Sequence, residues 1–333
     1  MTHAPLRTRY ALAAFALTLA ASAMAAAPKS DALALVPNDA ATVGLVRLAD
    51  LRSSPLSSSL LFHQTDKLGS NGEADKFLSD AGLDPMKDVD VLVVAASPGA
   101  TLSGDSRLLI AAEGRFNVER LTKALIDRGA VAKTSAKGNY LVFPESNGAN
   151  GKGQGAVAFP DARLVIMGTE SSVIAALVDR ANGGTTFAVA SGLGREMARI
   201  DPHATAWALV DVARASRLSG APHVPNGQGG TNATVTAALK NVSTIALWAT
   251  DTGEALKLGA VGLASDEETL QLIEDTIRGA LSALRLAAQD KSPDLIPVLR
   301  RFSVAHANGA VTISGSIPAD TLRTLAAKKT AAK

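Results

Sequence analysis

The sequence predicts an α+β protein made of two tandem copies of a mainly antiparallel sheet, with helices packed on one face of each copy. Three observations lead to this prediction. Residues 45–49 and 209–213 share an apolar strand pattern with one charged residue at the same place, Arg47 and Asp211. A hairpin pattern follows in each half, and an amphipathic helix follows each hairpin. The same order of patterns in both halves indicates a duplication.

The first half reads as strand, helix, hairpin, helix, strands and helix. Val118, Leu121 and Leu125 are spaced along one side of the helix after the hairpin, and Asn117 before them is a favourable N-cap. The predicted strands are 45–49, 89–97, 108–114, 139–143, 155–159 and 164–167, and the closing helix is 170–180.

The second half repeats this order. Its long helix carries an apolar side at helical spacing, formed by Leu270, Ile273, Ile277, Leu281 and Leu284. Ser265 with Glu268 three residues later predicts a capping box at its start. The predicted strands are 209–213, 243–250, 255–264, 302–306 and 310–317, and the closing helix is 318–327.

The N-terminus has the pattern of a secretory signal peptide. Arg7 and Arg9 precede an apolar run over 11–23, and the small residues after it predict cleavage after Ala25 or Ala27. A membrane-spanning helix needs roughly 20 apolar residues, so we expect no lasting transmembrane anchor. The predicted organisation is a signal peptide over 1–27, a first copy over 28–182, a second copy over 183–327 and a basic flexible tail over 328–333. The mature product is expected to be soluble and periplasmic or secreted.

Composition excludes several classes of function. The chain has no cysteine, which removes disulfides, thiolate metal sites and cysteine nucleophiles. Export separates the protein from most nucleotide and nicotinamide, and we expect no cofactor. Without the signal, basic and acidic residues are equal in number, so no basic field is available to bind nucleic acid.

One dense group of carboxylates is Asp84, Asp88 and Asp90. Oxygen ligands of this kind can hold a divalent cation, although the glycine hinge and closing glutamate of a calcium loop are missing. Asp beside Pro at the entry to a strand is also ordinary turn chemistry. The histidines are scattered without metal-ligand spacing, and no Gly-x-Ser-x-Gly elbow occurs, so no catalytic residue is assigned.

Three segments carry a resemblance. Residues 35–40, residues 109–116 with their Gly114-Arg115-Phe116 end, and residues 157–169 with Gly168-Thr169 resemble uncharacterised exported proteins of Gram-negative bacteria built from a duplicated α/β unit. The resemblance implies the fold and brings no activity, cofactor or catalytic residue.

Together these observations favour a non-enzymatic binding or scaffolding protein of the periplasm. It would contact a protein or a small ligand of the cell envelope through the cleft between the copies or through an exposed sheet edge. One alternative is a divalent-metal-dependent hydrolase that uses Asp84, Asp88 and Asp90. A second alternative is a structural protein of the cell envelope.

Overall fold

The computed structural model describes residues 30–61, 72–99, 106–143, 155–185, 187–218 and 242–331. Within them a single 12-stranded sheet has the order β11-β12-β10-β9-β8-β1-β2-β3-β7-β6-β5-β4, and every neighbouring pair is antiparallel. The strands are β1 Thr42–Arg47, β2 Val89–Ser97, β3 Arg107–Gly114, β4 Val131–Ser135, β5 Gly138–Val142, β6 Gly155–Asp161, β7 Leu164–Thr169, β8 Ala206–Asp211, β9 Thr244–Asp251, β10 Ala255–Leu263, β11 Ser303–Ala307 and β12 Ala310–Pro318.

The helices lie before, between and after the hairpins. They are α1 Leu48–Ser53, α2 Pro55–Leu61, α3 Gly72–Ala81, α4 Pro85–Asp88, α5 Val118–Ile126, α6 Glu170–Ala181, α7 Phe187–Ala190, α8 Gly192–Arg195, α9 Val212–Ala215, α10 Glu267–Lys291, α11 Ile296–Leu299 and α12 Ala319–Ala331. Short 3₁₀ turns cover Leu33–Leu35, Glu196–Arg199 and Pro293–Leu295. None of the helices in these ranges has the length and apolar character needed to cross a membrane.

The α+β class is confirmed, but the placement of the helices is corrected. Side chains alternate between the two faces of a strand, and in β3 Ala111 and Ala112 belong to different cores. The core around Ala111 contains Leu177 of α6, whereas the core around Ala112 contains Leu121 of α5. Helices therefore cover both faces of the sheet, because a sheet of this width presents two apolar faces that both need cover.

The two halves of the chain meet where β1 pairs with β8 in the middle of the sheet. Beyond the two strand ends, Arg47 N donates to Thr205 O and Asp211 N donates to Ala41 O, both at 2.8 Å. Asp31–Lys333 forms a single compact unit. The halves are thus joined through backbone hydrogen bonds of one continuous sheet.

Two local predictions are corrected and two predictions fall outside the described residues. The cap of α10 is Asp266, whose side chain accepts from Thr269 N at 2.7 Å, and not Ser265 with Glu268. Strand β4 was not predicted, and α12 continues to Ala331, into the predicted tail. The signal peptide over 1–27 and the end of the tail, 332–333, lie outside the described residues.

Candidate binding surface

A row of apolar residues crosses the centre of the sheet on the face that carries α5 and α10. Each residue of the row pairs with the next across neighbouring strands. From β7 to β10 the row reads Met167, Ile110, Val94, Gly44, Ala208, Leu247 and Ala260. At about 4.8 Å between strands it extends for about 29 Å.

The row is open in its middle and covered at its ends. At one end the row continues to Val157 of β6, which is buried beneath α5. At the other end it continues through Ile313 of β12 to Val304 of β11, which is buried beneath α10. Between them Met167 is 37% exposed, Val94 38% and Leu247 45%. We call the open stretch, Met167 to Ala260 together with the exposed Leu108, the central floor.

No charged side chain lies on the rows directly beside the central floor. One neighbouring row begins at Leu108, which itself belongs to the floor, and continues through Ala96, Thr42, Val210 and Ile245. The other joins Ala112, Leu92, Val46, Ala206, Ala249 and Leu258. Because the backbone groups of these inner strands are used in the ladders, the floor offers a ligand apolar contact and few hydrogen-bonding groups.

A glycine at the middle of the floor leaves space above the sheet. A Cβ atom added to Gly44 would meet only Trp207 O, at 3.7 Å, among the described atoms within 4 Å. That distance is ordinary van der Waals contact. The floor is therefore lowest at the junction of β1 and β8, where the two halves of the chain meet.

Two helices flank the floor. Helix α5 packs Leu121 and Leu125 against the β3, β5, β6 and β7 side of the sheet. Helix α10 packs Leu270 and Ile273 against β11 and β12. The arrangement is a shallow trough with a sheet as its floor and a helix at each end of the row.

A hydrogen-bonded carboxylate joins the two halves near one end of the strands. The Ser57 hydroxyl of α2 donates to the Asp251 carboxylate at the end of β9, and Gly253 N donates to the same carboxylate at 2.7 Å. Burial alone raises the pKa of Asp251, but these bonds together with that from Ser54 hold its pKa below the ordinary value. The contact fixes α2 against the second half of the sheet.

The three aspartates proposed as metal ligands lie around α4, and each has a partner. Asp84 caps α4 by accepting from Met86 N at 3.1 Å, and Asp88 accepts from Asp84 N at 2.8 Å. The Lys87 ammonium, 2.8 Å from Asp84, is the main cause that lowers the pKa of Asp84. Asp90 forms an ion pair with Arg52. The carboxylates thus cap a turn and balance cations.

The structure brings one histidine to carboxylates. His306 Nε2 lies 2.9 Å from Glu267 and its Nδ1 lies 3.5 Å from Glu274, both on α10. Within the described ranges, no three histidine, aspartate or glutamate side chains are grouped so that they could hold a metal ion. His63 and His223 lie outside those ranges.

Comparisons with solved structures give weak likenesses to a Treponema protein. No family model and no curated protein matches this chain. Crystal form III of the Treponema protein TP0453 has a TM-score of 0.46 and 12% identity, covering 90% of this chain and 99% of that one. Crystal form I of TP0453 has a TM-score of 0.45 and 9% identity, covering 90% and 98%. At these values the likeness carries no information on function.

Sequence reasoning did not identify the central floor. The alternation in each strand shows that one side is apolar, but the row depends on the register between strands far apart in the chain. The sequence nevertheless contained a signal. Val94 and Leu247 lie in strands whose consecutive residues are apolar, so both faces of each strand are apolar.

Proposed function

We propose that this chain is an exported, non-enzymatic binding protein that holds a hydrophobic ligand on the central floor. The observation that supports this proposal is the uncharged row from Met167 to Ala260, with Val94 and Leu247 each more than a third exposed. Sheet faces in soluble proteins are usually covered or polar, and a large apolar patch marks a binding surface.

The energetics favour an apolar ligand. Covering about 200 Å² of such surface contributes roughly 5 kcal/mol at about 25 cal/mol per Å², before the cost of association. A ligand with polar groups over the floor would lose hydration there and find few partners. Selectivity then comes from the shape of the trough between α5 and α10.

The location of the floor agrees with a duplicated chain. When residues 45–49 are aligned with 209–213, Gly44 corresponds to Ala208, and these two residues pair with each other across the junction. Under the same alignment the hydrogen bond from Arg47 N to Thr205 O corresponds to that from Asp211 N to Ala41 O. Two copies related by a local twofold axis would produce such equivalence, and that axis would pass through the floor.

Binding is tested with Nile red, whose fluorescence rises in apolar surroundings. Leu247→Glu places a carboxylate on the floor and is expected to reduce the fluorescence gain several-fold. Leu286→Glu is the matched control, since Leu286 lies on α10 outside the floor and is 67% exposed. Equal fluorescence from the two variants would remove the floor as the binding surface.

Export is the second part of the proposal and has its own test. The signal peptide over 1–27 directs the chain to the periplasm, and an osmotic-shock fraction should contain the processed form. A variant that lacks 1–27 should remain in the cytoplasm. Recovery of the processed form only with envelope membranes would favour the structural alternative over a soluble binding protein.

A further inference from the structure

The sheet has two outer edges, and the hairpin registers determine which backbone groups point outward. Ser135 pairs with Gly138 across the tight turn of the β4–β5 hairpin, so both backbone bonds of Ser135 are directed inward. By alternation, Ala132 and Thr134 direct their N–H and C=O groups outward from β4. In the β11–β12 hairpin Ala307 pairs with Ala310 across the tight turn, so by alternation Val304 directs its N–H and C=O groups outward.

The β11 edge is occupied by arginines of α10. Arg278 Nη2 donates to Val304 O at 3.1 Å, and Arg285 Nη2 donates to Phe302 O at 3.2 Å. The imidazole of His306 is held against α10 by Glu267. These contacts cover the edge in the way natural sheets avoid unwanted strand pairing.

The β4 edge has no such cover among the described residues. No described group donates to or accepts from the backbone of Ala132 or Thr134 on the outward side. The strand is exposed along most of its length, and Val131 is 60% exposed. An incoming strand would find free donors and acceptors in register.

A groove lined by both apolar and polar side chains runs beside this open edge. One flank of α5, formed by Val118, Thr122 and Ile126, faces the β4–β5 hairpin across a cavity of about 400 Å³. Ala132 and Thr134 line the other side of the cavity, and Ile126 is 47% exposed. An edge strand beside a helix lets a peptide gain main-chain hydrogen bonds while alternate side chains enter a pocket.

The charge of this edge selects the partner. Residues 130–138 contain Lys133 and Lys137 and no acidic residue. Lys133 forms an ion pair with Glu170 at 2.9 Å, whereas Lys137 has no ion-pair partner in the described part of the chain. Lys133 lies on the face of β4 opposite the groove, because it alternates with Ala132 and Thr134.

We propose that β4 binds an extended segment of another protein as an added antiparallel strand, with apolar side chains toward the α5 groove and acidic side chains on the opposite face. The site is separate from the central floor and does not depend on the function proposed for it. A second copy of this chain paired about Lys133 would place two lysines opposite each other, which is unfavourable.

The probe is a short dye-labelled peptide in which valine and glutamate alternate, followed by fluorescence polarisation. A peptide of the same composition with all valines before all glutamates is the control for pattern, and an alternating valine–lysine peptide is the control for charge. We expect the alternating acidic peptide to bind at least about tenfold more tightly than either control, with affinity falling as salt rises.

Variants locate the site. Thr134→Pro removes one outward N–H and keeps the backbone bonds to β5, although it also removes the bond from Thr134 Oγ1 to Asn139 Oδ1. Ile126→Glu places a charge in the groove. Each variant should weaken binding at least about tenfold. Leu286→Glu and Leu247→Glu should leave binding unchanged, which separates this site from the central floor. Circular dichroism checks that each variant folds.

Three results would overturn the proposal. One is the absence of binding by the alternating peptide, and another is equal binding of the block peptide. The third is a dimer of the unliganded chain, seen by sedimentation and abolished by Thr134→Pro, because it would assign the edge to a second copy. Slowed amide exchange at Ala132 and Thr134 on peptide addition would place the added strand on β4.

Discussion

Replacing Gly44 by valine tests whether the central floor is open. Gly44 lies in β1, between Val94 of β2 and Ala208 of β8, at the junction of the two halves. The added Cβ meets only Trp207 O at 3.7 Å among the described atoms within 4 Å, so the new side chain begins in space above the sheet. Glycine in a strand interior is unfavourable by roughly 0.5–1 kcal/mol relative to alanine, and valine suits a strand better still.

We therefore expect Gly44→Val to raise the free energy of unfolding by about 0.5–1 kcal/mol. For a chain of this size that corresponds to an increase of roughly 1–3 °C in Tm. Urea denaturation followed by circular dichroism gives the free energy, and calorimetry gives the Tm. The same variant should bind less Nile red, because valine occupies the lowest part of the floor.

Gly168→Ala is the matched control. A Cβ at Gly168 would lie 2.0 Å from Leu108 O, and its φ of 154° adds strain, so the neighbouring strand must move. Overpacking of this kind costs about 1–3 kcal/mol. If Gly44→Val destabilises the protein as much as Gly168→Ala does, then something covers Gly44 and the floor is not open.

Three further predictions concern the carboxylates and the N-terminus. Ser57→Ala removes a hydrogen bond to the ionised Asp251 and should cost about 1.5–3 kcal/mol at pH 7. Hydrogen bonding lowers the folded-state pKa of Asp251, so that stabilisation is present above about pH 4 and is lost as the pH falls through the lowered pKa. Urea denaturation at pH 7 and pH 3 should show the free energies of unfolding of the wild type and Ser57→Ala converging in acid. An equal difference in unfolding free energy at both pH values would contradict this. Thermal melts with calcium, magnesium, zinc and a chelator should all give the same midpoint, because the aspartates around α4 already have partners. A metal-induced gain in stability that approaches the roughly 2.7 kcal/mol expected at 100 times the Kd would favour the hydrolase alternative. Mass spectrometry of the periplasmic form should find the N-terminus directly after Ala25 or Ala27, and an intact Met1 would refute cleavage.

Strands with strong alternation were predictable from the sequence, whereas β4 was not. The hairpin predicted at 89–97 and 108–114 is observed as β2 and β3, with ends that differ by at most one residue. Strand β4 was missed because its side chains are nearly all exposed, so burial imposes no alternation on the sequence. The pairing that makes it a strand comes from β5, through a tight turn.

Caps and helix placement show a similar division. Asn117 was predicted to cap α5 and does so, accepting from Arg120 N at 3.0 Å. At α10, Ser265 and Asp266 are adjacent residues that both favour the N-cap, and sequence alone did not distinguish them. Helices on the second face of the sheet were not expected, because the helix patterns do not specify which face each helix covers.

By itself the sequence determined the α+β class, the order of most strands and helices, and the partners available to Asn117, because alternation, helical spacing and capping are properties of neighbouring residues. The absence of cysteine and the equal numbers of basic and acidic residues after the signal were also visible in the sequence alone. Tertiary structure decided that the two halves share one sheet and that ten strands align one uncharged row. It also decided that arginines cover β11, while no described residue covers β4. Those features depend on registers between residues distant in the chain, where a shift of one position would turn each side chain to the other face.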